Sequence, residues 1–244
     1  MIIFLDTETT DKEKDSRLVQ LAYRIRETKQ EVNEYFKPPV EISIGSMAVH
    51  HITNEMVENK SAFDESEDKQ KIIQLLKEGI LVAHNAPFDI NILKNEGVET
   101  FQSIDTLRIA RHLLDSEQYK LQYLRYLLKL NVVDGKAHDA MGDVNVLEPL
   151  FEYFIQQVKQ DFKLENDEDA IAKIVELTKT PALIKQFVFG KYFGRQIEDI
   201  VAVDKGYLEW LRRTEIQKDP FDQNEDMIYT LEHFLKIDRN TLPF

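Results

Sequence analysis

Four consecutive apolar residues, Ile2-Ile3-Phe4-Leu5, run directly into Asp6-Thr7-Glu8. An unbroken apolar run of this kind suits a central strand buried on both faces, so the chain has to supply covering layers on either side of a sheet. Alternate side chains of a strand share a face, which points Asp6 and Glu8 the same way. Two close carboxylates repel unless a proton or a cation sits between them. Taken alone, such a pair is usually a solvated loop edge. The same opening residues lack a basic stretch, a long apolar run and a small-residue cleavage site, so they read as a strand and not as a signal peptide.

Residues 17–25 and 32–36 are the next strand candidates, the latter stopped by Pro38-Pro39. The short connections predict an antiparallel meander. Thr53 is placed to cap a short helix carrying Met56 and Val57. Ile72, Ile73, Leu75 and Leu76 follow helical periodicity, residues 80–83 form another buried strand, and Pro87 opens a helix with Phe88, Ile90, Ile92 and Leu93. Helices are predicted over 107–114, 121–128 and 141–158. Strands first, then strand–helix alternation, gives an α/β class with a mixed sheet.

The 244 residues are 43% apolar, enough for one sizeable domain and a smaller one. Residues 1–160 form the expected main domain. Residues 161–180, polar and acidic around Glu165 to Asp169, are the expected junction, with a short helix over 171–177. Residues 181–244 are the expected small α+β module. With no cysteine, disulfides and thiolate metal sites are excluded, and a reducing cytoplasm is the expected compartment. No stretch approaches the ~18 apolar residues of a membrane span, so no membrane partner is expected. The net charge of −13 argues against tight, purely electrostatic binding of nucleic acid, although carboxylates that hold cations also enter that sum.

Two further acidic segments join the first. His84-Asn85-Ala86-Pro87-Phe88-Asp89 follows a buried strand and places Asp89 in the first turn of a helix, where a bland reading is an acid on the helix dipole. His138-Asp139-Ala140-Met141-Gly142-Asp143 opens the long helix, with Asp139 suited to N-cap it. If that helix packs on the sheet through Val144, Val146, Leu147 and Leu150, Asp143 turns towards the strand end. Asp6, Glu8, Asp89 and Asp143 then make a four-carboxylate set beside the imidazole of His138. Hard oxygen donors suit Mg²⁺ or Mn²⁺, and four acids can hold two ions roughly 3.5–4 Å apart, as in in-line phosphodiester cleavage. A histidine titrating near neutrality can take a water's proton.

These segments resemble the DEDDh exonucleases, the family of the proofreading epsilon subunit of bacterial DNA polymerase III, ribonuclease T and exonuclease X. The resemblance rests on Phe4-Leu5-Asp6-Thr7-Glu8-Thr9-Thr10, Val49-His50-His51-Ile52-Thr53, Leu81 through Asp89, Asp105-Thr106-Leu107 and His138 through Asp143, and it spans residues 1 to about 155. It implies a ribonuclease-H-like fold, with Asp6, Glu8, Asp89 and Asp143 binding two divalent cations and His138 as general base. It also implies substrate contacts from Thr7, Thr9, His51, Ile52, Asn85 and Phe88. Two departures stand out. Asp11 follows Thr10 where many relatives have glycine after the Asp-x-Glu threonine, and Gln20 stands where many have glutamate. Asp105 reads as a helix cap; His112 and His233 read as structural or surface residues.

Residues 187–195 read as a strand, a glycine turn and a return, and residues 207–213 as an amphipathic helix. This stretch resembles the small C-terminal module of exonuclease-X-like proteins. Lys191, Tyr192, Arg195, Arg212 and Arg213 offer the cations and aromatic face of a single-strand clamp; the alternative is a small core closed by Tyr207, Trp210 and Leu211. The resemblance implies 3′→5′ removal of mononucleotides from a nucleic acid with a free 3′ end, DNA ahead of RNA, in repair or proofreading. RNA trimming is the enzymatic alternative, and a proofreading subunit docked on a polymerase is the non-enzymatic one. Relatives of that last kind need a polymerase-binding tail, whereas this chain closes on an aromatic-rich segment.

Overall fold

The computed structural model describes residues 1–237. Strands β1 (Ile2–Thr9), β2 (Leu18–Ile25) and β3 (Glu31–Tyr35) form the expected antiparallel meander. Helices α1 (Ile44–His50), α2 (Asn54–Val57) and α3 (Glu67–Glu78) follow, then β4 (Ile80–Ala83), α4 (Ala86–Asn95), β5 (Ser103–Asp105) and α5 (Thr106–Leu113). Strands β4 and β5 add parallel to the free side of β1, giving the order β3-β2-β1-β4-β5. The apolar first strand is therefore the middle of a mixed five-stranded sheet, as its sequence requires.

Helices α6 (Leu121–Leu127), α7 (Ala140–Phe162) and α8 (Asp167–Thr178) complete the main body. One face of the sheet, with Ile2 and Phe4, packs on α5, α6, α7 and α8; the other, with Ile3 and Leu5, packs on α3 and α4. Phe4 meets Phe151 of α7 edge-on at 5.5 Å, and replacing either ring by alanine in such a setting costs about 3–5 kcal/mol. Val144, Val146, Leu147 and Leu150 are fully buried, so α7 lies on the sheet by the predicted face.

The expected polar junction is corrected in part. Residues 167–178 are a capped helix whose Ala170 and Ile174 belong to the main core. Its acids face outward and misled a reading based on composition. Asp167 lies in reach of Arg26 and Lys159, which ties this segment back to the sheet.

The last part is also corrected, from α+β to helical. Helices α9 (Ile197–Val203), α10 (Lys205–Ile216) and α11 (Glu225–Leu235) enclose a separate small core around Phe187, Ile200, Leu208 and Leu231. The predicted strand and return at 187–195 are a closed loop, with one bridge between Gln186 and Gln196 and a short 3₁₀ turn at Gly190–Tyr192. Residues 238–244 of the expected module lie outside the described residues. Among the described residues, no helix is long and apolar enough to cross a membrane.

Candidate active site

Side chains of β1 alternate between the two layers, so Asp6 and Glu8 fall on the α7 face and Thr7 on the α4 face. Helix α7 begins directly opposite. Asp139 caps it, accepting the Gly142 amide at 3.0 Å. A Cβ on Gly142 would stand 2.1 Å from the Lys136 carbonyl oxygen, so only glycine lets the lead-in loop lie this close to the helix start. Asp143 follows. Its Oδ1 accepts from Gln122 Nε2 at 2.7 Å and its Oδ2 from the His138 amide at 3.2 Å. Carboxylate oxygens of Asp6, Glu8 and Asp143 thereby come within 4.8 Å of one another.

Asp89 enters from the first turn of α4. It is 2% exposed, and its Oδ1 accepts the Thr7 hydroxyl at 2.8 Å. It stands outside the close triplet, yet its charge is among those that raise the Asp6 pKa. His138 is exposed, with φ of 58°, on the turn that precedes Asp139. The structure therefore brings three of the five expected residues into one cluster, with Asp89 behind it and His138 at its rim.

The electrostatics follow from this crowding. Burial, then Asp89, Asp143 and Glu8, hold Asp6 well above the usual carboxylate range. Burial and Asp143 push Glu8 up to about 8. Burial lifts Asp89 to about 7 against the opposing hydrogen bond from Thr7, and it also raises Asp143. Among the described residues, no lysine or arginine forms an ion pair with any of the four. Hard, negative, clustered and uncompensated oxygens fit a divalent cation.

Around this cluster the remaining candidates divide. Asn85 is exposed in a left-handed conformation (φ 70°), held by its amide to Asp105 Oδ1 at 2.9 Å. His51 is exposed, also left-handed, at the end of α1. Phe88 is half-buried against the second core and borders a cavity of about 440 Å³ with Lys12 and Asn85. Thr7 and Thr9 are buried, and Ile52 packs in a small core with Val19, Ile42 and Val57. The Thr9 hydroxyl donates to the Asp11 carbonyl, which closes the first loop without the glycine many relatives have.

Three supporting residues were not assigned these roles from the sequence. Gln122 holds Asp143. Asp105 caps α5 as expected and also pins Asn85. Gln20, fully buried and paired in register with Glu8, bonds Asn33 at 2.8 Å and accepts the Ala140 amide at 3.4 Å. Its departure from glutamate was visible; its contact with the start of α7 was not. His50 is buried and neutral: burial lowers its pKa, Nδ1 accepts the Ile52 amide and Nε2–H donates to the Thr9 carbonyl.

The expected clamp is dispersed. Lys191 and the Tyr192 hydroxyl both bind Asp204, at 2.9 and 2.7 Å, and Arg212 binds Glu232 at 2.8 Å. Arg195 and Arg213 are exposed. His112 bonds the Thr180 carbonyl, a structural role as expected. Trp210 is half exposed beside Tyr207, while Leu211 closes the small core.

A family model described as exonuclease (RNase T) matches residues 3–151, which contain all five catalytic candidates. The chain is 29% identical over 204 residues to exodeoxyribonuclease 10 of Escherichia coli (strain K12), covering 82% of each chain. It is 32% identical over 169 residues to the DNA polymerase III subunit epsilon of Buchnera aphidicola subsp. Acyrthosiphon pisum, covering 61% of this chain and 70% of that one. A solved exonuclease X in complex with 5′ overhanging duplex DNA has a TM-score of 0.54 at 26% identity, over 72% of this chain and 99% of that one. A 3′-exonuclease described in 3′-end specific recognition of a histone mRNA stem-loop, at 15% identity and a TM-score of 0.52, shares the fold.

Proposed function

Since this chain belongs to the exonuclease family, we propose that it hydrolyses DNA from the 3′ end, releases 5′-mononucleotides and requires Mg²⁺ or Mn²⁺. The observation that carries this reading is the uncompensated triplet of Asp6, Glu8 and Asp143 within 4.8 Å. These three, with Asp89 behind them, would hold two divalent cations. Bound there, the cations would supply charge neutralisation and acidify a water. His138 accepts the water's proton from the rim of the cluster, its backbone tied to Asp143 through the amide. The water oxygen forms a bond to phosphorus as the P–O3′ bond breaks, and the leaving 3′ oxygen takes a proton from solvent, so the shortened strand ends in a new 3′ hydroxyl. Asn85, Phe88 and His51 are the residues that would border the terminal nucleotide.

DNA is the favoured substrate because exodeoxyribonuclease 10 aligns over 82% of both chains, well past the catalytic segments. A repair or proofreading role goes with that substrate. Likeness to an epsilon subunit raises a polymerase as partner, but the alignment with exodeoxyribonuclease 10, which runs beyond the catalytic segments, favours an enzyme that works on its own. Product time courses on single-stranded DNA, duplex DNA and RNA of one sequence test the reading. Mononucleotide release from DNA at a higher kcat/KM than from RNA is expected; faster release from RNA would turn the assignment to RNA trimming.

A further inference from the structure

Two concave surfaces meet at Asn85 and Leu107. One is the cavity beside Phe88, which the module's loop before α11 completes. The other, about 680 Å³, lies between Tyr119 and Lys120 of the main body and Val188 and Phe193 of the module. That volume is in the range of about 300–1,000 Å³ typical of ligand cavities. Together they form a trough that leads from Asn85 and Phe88, the residues proposed to border the terminal nucleotide, out along the module.

Both walls are fixed in place. His84 is half-buried, its pKa lowered by desolvation to about 4; Nε2 lies 2.8 Å from the Tyr119 carbonyl and Nδ1 2.9 Å from the Thr106 hydroxyl, which itself donates to the Ala83 carbonyl. Asp226 of the module is 1% exposed and binds Arg108, Arg111 and the Ala182 amide. Gly190 and Gly194, at φ of 70° and 78°, shape the loop that presents Phe193. Phe193 is 70% exposed and Val188 51%, so this anchored loop holds apolar surface in water at the mouth of the trough.

We propose that this trough takes the unpaired bases upstream of the terminal nucleotide, with Phe193 as a stacking platform. The proposal rests on the exonuclease reading. Charge and chemistry both favour nucleobases. The net charge is −13, and Lys191 and Arg212 are already bound to Asp204 and Glu232. That leaves few cations without an acid partner beside the trough, Lys120 and the exposed Arg195 among them, and most of the grip to apolar and aromatic surface. Every base has a π face, so stacking grips a strand without sequence preference and without that charge. Lys120 and Gln118 supply the few polar contacts along the wall.

The test compares full-length protein with Phe193→Ala and Phe193→Trp on two substrates. One is a single-stranded oligonucleotide; the other is the p-nitrophenyl ester of thymidine 5′-monophosphate, which fills only the catalytic centre. Phe193→Ala is expected to raise KM for the oligonucleotide about 5- to 100-fold, the worth of one stacked base, with kcat and ester hydrolysis unchanged. Phe193→Trp is expected to restore KM. An unchanged KM, or equal losses on both substrates, overturns the proposal. If the wild type hydrolyses neither substrate, the exonuclease reading fails, and anisotropy of the labelled oligonucleotide in EDTA reads the trough directly. Weaker binding by Phe193→Ala then supports it; equal binding overturns it.

Discussion

Two groups of carboxylates, buried or half-buried, contrast in this molecule. In the first, Asp6, Glu8, Asp89 and Asp143 crowd at the end of β1, with no lysine or arginine paired to them among the described residues, and each has a raised pKa. In the second, each acid has a cationic partner, while the buried Asp105 belongs to neither group, its carboxylate taken up by the Asn85 and Leu107 amides. Glu96 takes a bidentate Arg17 at 2.8 Å, Glu215 takes Lys218, Glu232 takes Arg212, and Asp226 takes Arg108 and Arg111. Burying a charge without a partner costs several kcal/mol, so a chain that neutralises one group and leaves the other open keeps the open group for something outside itself. The paired acids act as internal ties; the unpaired acids are a site.

The sharpest way to break this contrast is to remove the outside partner. Chelation with excess EDTA is expected to abolish nucleotide release, and added Mg²⁺ to restore it. Undiminished turnover in EDTA would show that the open carboxylates do other work.

Next in size is the rim histidine. His138→Ala is expected to lower kcat by about 10²–10⁴-fold, the usual worth of a general base, with the Mg²⁺ concentration for half-maximal rate unchanged. An unaltered rate at pH 7 would take His138 out of the mechanism.

Much of this contrast was legible in the sequence, and the limits of that reading are physical. Asp6 and Glu8 sit on a strand, Asp89 and Asp143 within one turn of helix starts, so backbone periodicity alone aims them. Val144 to Leu150 mark the buried face of α7 by the same rule. Pairing across the fold has no such local signature. Nothing near Gln122 marks it as the partner of Asp143, more than twenty residues away in the chain. Composition misled at 161–180 because an acidic stretch can be a helix with its acids turned outward, as α8 is. The acid partners of two clamp candidates were hidden in the same way: Lys191 and Arg212 look free until Asp204 and Glu232 fold beside them.

The paired group gives a third, smaller effect. Asp226→Ala leaves Arg108, Arg111 and the Ala182 amide without their shared acceptor, and is expected to destabilise the protein by about 3 kcal/mol. Chemical denaturation measures it. Hydrolysis of a nucleotide ester at low temperature is expected to stay at the wild-type rate, because the module's core shares no residue with the core under β1. A stable variant would show that the small core, not this tie, holds the module in place.

The smallest expected effect reads the open group in the metal-free protein. Glu8 and Asp89 keep their protons up to about pH 8 and 7 when folded, whereas in the unfolded chain they lose them near their ordinary values of 4.5 and 3.8. Between those limits the folded state binds more protons, so the slope of stability against pH is negative. The contribution is fully present below about pH 4 and is lost as pH rises towards 8. Metal-free protein is therefore expected to melt lower at pH 8 than at pH 5, and saturating Mg²⁺ to remove the difference. Asp6→Asn deletes one of the crowded charges and relieves part of that repulsion. At pH 8 it is expected to raise the metal-free Tm by about 2–4 °C, the shift that about 1 kcal/mol gives a chain of this size. At pH 5, where protons already quiet the cluster, the same variant is expected to change little. A lower Tm at pH 8 would mean that the Asp6 carboxylate holds the fold together, and the distinction between tie and site would fail at the residue where it is drawn most strongly.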